Sequence, residues 1–135
     1  MRTEISPMLA VNDGNGEIDF YKAAFNATVL WHLDGDSPDV AGLTVDGAKF
    51  FLAQESPPHG TRSPFSLGFT TVRIELFVED PVAMHKKALA AGATEHSPIE
   101  EHQHTTVGPQ PIRRVLQGAV VDPFGHMWLI GKILE

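Results

Sequence analysis

Apolar and polar positions follow two periods along this chain, and the order of the periods repeats. Ile5-Ser6-Pro7-Met8-Leu9-Ala10-Val11 is apolar and strand-like, and Asn12-Asp13-Gly14-Asn15-Gly16 breaks it. Glu17 to Phe25 reads as a helix, because Ile18, Tyr21 and Phe25 fall on one face at i, i+3 and i+7. Asn26 is a suitable stop, since Asn tolerates the left-handed conformation that ends many helices. Three strand-like pieces follow, Thr28 to Leu33, Asp39 to Val45 and Ala48 to Gln54, the last two joined by the hairpin signal Asp46-Gly47.

The second half replays the first. Val72 to Val78 is a strand, and Glu79-Asp80-Pro81 opens a helix with Pro at its first position. That helix runs to about Ala91, with Met84, Ala88 and Ala91 on one face and Gly92 as its cap. Ala93 to Ser97 restarts as a strand, and Arg113 to Val121 with His126 to Ile133 makes a closing hairpin. Asn26-Ala27-Thr28 answers Gly92-Ala93-Thr94 at a spacing of 66 residues. The pattern predicts an α+β chain of two tandem βαβββ modules, residues 1–54 and 71–135, joined by a Pro, Ser and Gly-rich linker at 55–70. A second irregular stretch runs from Pro98 to Pro111. Neither module can cover its sheet alone, so the two are expected to pack around a shared concavity and form one structural domain.

Composition narrows the function classes. The chain has 135 residues, no Cys and a formal charge of −7 from 10 basic and 17 acidic residues. The acidic balance argues against a nucleic-acid footprint. No run reaches the roughly 20 apolar residues of a membrane span. No hydrophobic region follows Met1-Arg2-Thr3-Glu4, so no signal peptide and a cytoplasmic location are expected. Without Cys there are no disulfides, thiolate metal sites or Cys nucleophile.

Asp19-Phe20-Tyr21-Lys22-Ala23-Ala24-Phe25, Ala90-Ala91-Gly92-Ala93 and Asp122-Pro123-Phe124-Gly125-His126 resemble the vicinal oxygen chelate superfamily. That superfamily includes glyoxalase I, bleomycin-resistance proteins, fosfomycin-resistance enzymes and extradiol dioxygenases. The resemblance runs closest to its glyoxalase-like, bleomycin-resistance-like branch, named after a protein of a phosphonate-utilisation operon. It implies a curved mixed sheet around a concave pocket, and a homodimer whose modules pack across the two-fold. It also implies a divalent metal held by His and Glu near Ser6, Phe51, Arg73 and Leu129. Phe51 and Leu129 have no metal-binding atom, and Arg73 is a permanent cation. A one-residue shift in register brings in no His or carboxylate, and Glu75, on the same side of the strand as Arg73, is a single ligand. No cofactor is expected. A divalent metal held by an unusual set that includes His102 and His104 is the alternative, because in an extended segment their imidazoles share a face close to Glu100 and Glu101.

Strand alternation predicts the pocket lining as Ser6, Met8, Phe51, Arg73, Glu75, Phe77 and Leu129, with Ala10 and Ala53 beside them. Trp31 and Trp128 are either further wall or core. An apolar bowl with one Arg and one Glu suits a small organic ligand, Arg73 holding an anion and Glu75 accepting a hydrogen bond or acting as base. The competing reading places Arg73 and Glu75 in structural polar networks with Arg113, Arg114 or a partner chain. His126 is expected to orient the hairpin and His85 to pack in the core. His32, His59 and His96 have no evident partner in sequence. Three functions remain open: metal-free binding of a small molecule, a metal-dependent lyase, isomerase or dioxygenase, and a non-catalytic structural or regulatory dimer.

Overall fold

Each half of the chain folds as strand, helix and three strands. The computed structural model describes residues 1–34, 39–112 and 114–134, so the expected place of Arg113 at a strand start and in a polar network lies outside the described residues. The first module comprises β1 (Met8–Val11), α1 (Gly14–Phe25), β2 (Thr28–His32), β3 (Val40–Val45) and β4 (Ala48–Gln54). The second comprises β5 (Arg73–Phe77), α3 (Pro81–Ala90), β6 (Thr94–Gln103), β7 (Arg114–Val121) and β8 (Met127–Ile133). Between them lie a 3-10 turn (Pro57–His59) and the short helix α2 (Pro64–Leu67). The linker is therefore structured: Glu55 accepts from the Ser63 N–H and from the Ser66 hydroxyl, at 2.9 and 2.8 Å, and Ser63 is fully buried.

The mixed sheet is present as two four-stranded halves, ordered β1-β4-β3-β2 and β5-β8-β7-β6. In each, the first and last strands of the module run parallel side by side and the other pairs are antiparallel. Two of the boundaries that differ from the expected ones have local physical reasons. The first helix begins at Gly14 rather than Glu17, because the Asp13 side chain accepts from the Gly16 N–H at 3.0 Å and satisfies an end donor. The strand expected to stop at Ser97 continues to Gln103, so only the later part of 98–111 is irregular. β6 is an edge strand whose register shifts between Glu95 and Glu100, so the N–H that Pro98 lacks interrupts no regular ladder. Gly118 permits the close approach there, since a Cβ on it would lie 2.6 Å from the Pro98 backbone.

One core joins the modules. α1 packs against α3, and the Trp128 ring lies 5.3 Å from Tyr21, 4.9 Å from Phe25 and 5.4 Å from Phe50. Leu9, Val11, Leu43, Leu52, Leu76, Val120 and Ile130 fill the same core from the two sheets. The helix-bearing faces therefore meet in the middle, and each sheet turns its other face outward. No helix among the described residues is long and apolar enough to cross a membrane.

Candidate functional site

Period-two alternation along β5 buries Leu76 and half-buries Ile74 toward α3, which leaves Arg73, Glu75 and Phe77 on the open face. The parallel register sets Arg73 beside Met127 and Glu75 beside Leu129, and the antiparallel register sets Leu129 beside Ala119. β6 brings Glu100 opposite Gln117 and His102 opposite Val115. The result is a pocket of about 140 Å³ lined by Arg73, His96, Ser97, His102, Gln117, Gly118, Ala119, Met127 and Leu129. Gln117 Nε2 donates to Glu75 Oε1 at 3.1 Å, which fixes the Glu75 carboxylate at the edge of this pocket. Among the described residues no carboxylate lies within ion-pair distance of Arg73. Arg114 points its charge elsewhere, donating to Glu101 at 2.7 Å.

The first sheet presents a different open face. Met8 pairs with Phe51, Gly42 with Phe51, and Trp31 with Gly42. The Trp31 ring lies over Gly42, where a Cβ would come within 2.5 Å of it, and meets the Phe51 ring edge-on at 5.2 Å. Met8 and Trp31 are 54% and 40% exposed, and Ser6, just before β1, is half-buried. The two tryptophans thus separate: Trp31 is wall, and Trp128, 2% exposed, is core. Within one chain, Ser6, Met8 and Phe51 do not line the pocket that holds Arg73 and Leu129. Phe77 lines a third space, a cleft of about 1020 Å³ between the β3–β4 hairpin and the start of α3. Three of the charged groups of that cleft serve the fold: Asp80 caps α3, Glu79 pairs with Lys132 at 2.7 Å, and Lys87 donates to Asn26.

Sequence reasoning did not single out Gln117 or Met127 and gave His96 no partner. Alternation along β7 places Gln117 on the face of Ala119, but only the strand order sets that face beside Glu75. The His102 and His104 rings lie nearly parallel with centroids 6.4 Å apart. Among the described residues, no three His, Asp or Glu come together in a group that could hold a metal. The side chains at Ser6, Phe51, Arg73 and Leu129 do not fit the superfamily's metal, for want of donors and because of the Arg73 charge. His85 is buried with Nε2 3.2 Å from the Ser97 carbonyl, His59 Nδ1 meets Ser56 Oγ at 2.7 Å, and His32 Nδ1 lies 2.8 Å from the Leu33 carbonyl.

A second polar group lies in the seam between the modules. Asp122 Oδ1 accepts from the Phe124 and His126 N–H groups at 2.9 and 3.0 Å, and Oδ2 accepts from Trp128 Nε1 at 3.1 Å. Tyr21 Oη lies 2.7 Å from Asp122 Oδ2 and 2.8 Å from Glu17 Oε2. Burial and then the Asp122 charge push the Glu17 carboxyl up to about 8, and burial likewise raises the Tyr21 hydroxyl. His126 Nε2 donates to the Ala10 carbonyl of β1 at 3.0 Å, and burial holds its imidazole below the usual range.

Two βαβββ modules that meet through their helix faces, each leaving one sheet face open, define a glyoxalase-like α+β protein. A family model described as the Glyoxalase/Bleomycin resistance protein/Dioxygenase superfamily matches residues 5–130, and the chain belongs to that superfamily. It is 36% identical over 133 residues to an uncharacterised protein of Mycobacterium bovis, covering 95% of this chain and 82% of that one. A gene product of Arabidopsis thaliana superimposes with a TM-score of 0.67 at 26% identity, covering 96% of this chain and 98% of its own. TioX from Micromonospora superimposes with a TM-score of 0.72 at 20% identity, covering 98% and 100%, a likeness of fold.

Proposed function

We propose that the open face of the second sheet binds a small organic molecule through an anionic group, without the superfamily's usual metal. The observation that carries this reading is Arg73, a fixed cation in a pocket of about 140 Å³ with no carboxylate among the described residues within ion-pair distance of it. Gln117 and Ser97 add polar groups, and Met127 and Leu129 supply apolar wall. Glu75, oriented by Gln117, accepts a hydrogen bond from the ligand or serves as its base.

The apolar remainder of the site comes from a second copy in this reading. Met8, Phe51 and Trp31 form an exposed wall that the chain's own Arg73 pocket does not use, and a homodimer that brings the two open faces together makes one groove of both. A cytoplasmic location, expected of a chain without Cys, belongs to the same proposal.

The test is a thermal-shift screen of tag-free protein against small carboxylates, phosphonates and aromatic drugs, with and without divalent metals. A ligand that binds only the folded state raises the midpoint by mass action. An organic anion is expected to do so without added metal. Arg73→Ala is expected to weaken it about 10-fold to 100-fold, the effect of losing one hydrogen bond to a charged group. A metal response lost in the His102→Ala, His104→Ala double variant would sink the metal-free reading. Light scattering during the same screen is expected to give twice the chain mass; a monomer that binds with full affinity removes the shared groove.

A further inference from the structure

Glu17 is fully buried, and its Oε1 atom has no hydrogen-bond partner. The seam around it sets a problem of proton counting. A phenol carries one proton, yet Tyr21 Oη lies within hydrogen-bond distance of two carboxyl oxygens, Glu17 Oε2 and Asp122 Oδ2. Asp122 faces donors on every side: Trp128 Nε1–H and the N–H groups of Phe124 and His126, besides Tyr21. Among the described residues Glu17 faces none but Tyr21. His126 Nε2 stands 3.8 Å away, beyond hydrogen-bond reach, and its proton is directed at the Ala10 carbonyl. Two ionised carboxylates sharing one hydroxyl proton would leave one of them buried without a donor, which is costly. The protons match the acceptors around Tyr21 if Glu17 carries a proton and donates from Oε2 to Tyr21 Oη, which in turn donates to Asp122; Oε1 is then a neutral carbonyl oxygen instead of part of a buried charge.

We propose that the folded protein stores one proton on Glu17, ordered along Glu17, Tyr21 and Asp122, and that this proton closes the seam between the two modules, so that folding takes up a proton. The chain of three groups joins α1 of the first module to the turn before β8 of the second, a separation of 101 residues between Tyr21 and Asp122. Of the groups that act on Glu17, α1 contributes Tyr21, with Asp13 at its cap, and the β7–β8 turn contributes Asp122 and His126; among the described residues no lysine or arginine acts on the Glu17 carboxyl.

The pH dependence follows from linkage. The Glu17 carboxyl lies at about 8 in the folded chain against 4.5 as an ordinary glutamate. Below the lower value both states hold the proton and the contribution is whole; between the two values only the folded state holds it. Stability is therefore lost as pH rises across that window, by up to about tenfold in the unfolding constant per pH unit, and the loss levels off above the folded value. His126, depressed by burial, acts in the opposite direction: its contribution is lost as pH falls.

The experiment compares urea denaturation of the native protein and Glu17→Gln at steps from about pH 5 to about pH 8. Gln keeps the shape and a donor for Tyr21 but cannot ionise, and both proteins retain His126. The ratio of the two unfolding constants is expected to change by up to about tenfold per pH unit, the native protein losing ground as pH rises. A constant ratio overturns the proposal. Infrared spectroscopy of the native protein at about pH 6.5, where exposed carboxyls are ionised, gives a second reading that requires no variant. A carbonyl band of a protonated carboxylic acid is expected there, and its absence overturns the proposal.

Discussion

Trp128→Ala is expected to lower the unfolding free energy by about 3–5 kcal/mol, the range for removing a large aromatic side chain from a close-packed core. Trp128 is 2% exposed and is touched by three rings of the other module, Tyr21, Phe25 and Phe50. Its removal opens a cavity between modules that are each held by their own sheet, so collapse around the space is limited. Asp122 also loses one of its donors. Against a total of about 5–15 kcal/mol for an ordinary domain, this takes a large share of the stability. Urea denaturation followed by far-ultraviolet circular dichroism measures it. Trp31→Ala on the open face is the internal comparison and is expected to cost less than about 1 kcal/mol. Equal losses at the two tryptophans would contradict the assignment of one to core and the other to wall.

Asp122→Ala is expected to be nearly as damaging, on the order of 3–5 kcal/mol, through a different mechanism. It removes no large volume, but it deprives four donors of their acceptor: Tyr21 Oη, Trp128 Nε1 and the N–H groups of Phe124 and His126. Each donor left buried costs about 1–3 kcal/mol, and those nearest the surface are partly repaid by water. The turn suffers as well, because the same side chain orders the backbone between Asp122 and His126. Asp122→Asn, which keeps the shape and one acceptor oxygen, is expected to fall between native and Ala in the same denaturation series. A loss under about 1 kcal/mol for Asp122→Ala would show that the turn, rather than the carboxylate, carries the motif.

The motif Asp122-Pro123-Phe124-Gly125-His126 illustrates how far a sequence can be read. Its residue types announce a turn, and Gly125 does adopt a positive φ of 94°. Nothing local reveals that the same aspartate reaches Tyr21 or that His126 reaches β1, because those partners are chosen by the packing of distant segments. Glu17 is a sharper case. At the start of a helix, a glutamate is favourably placed near the dipole and is ordinarily solvated. Its burial here is decided by the β7–β8 turn of the other module.

Local pattern alone determined the two βαβββ modules, their helices and hairpins, and the side of β5 on which Arg73, Glu75 and Phe77 lie. These follow from periods of 3.6 and 2 that act within a few residues and so survive in the sequence. Only the tertiary structure decided which faces meet. It gathered Gln117, His96 and His102 around Arg73, set Ser6, Met8 and Phe51 on a separate face, and closed a seam of buried polar groups over Glu17. Strand order and module packing depend on contacts between residues far apart in the chain, which no local period encodes.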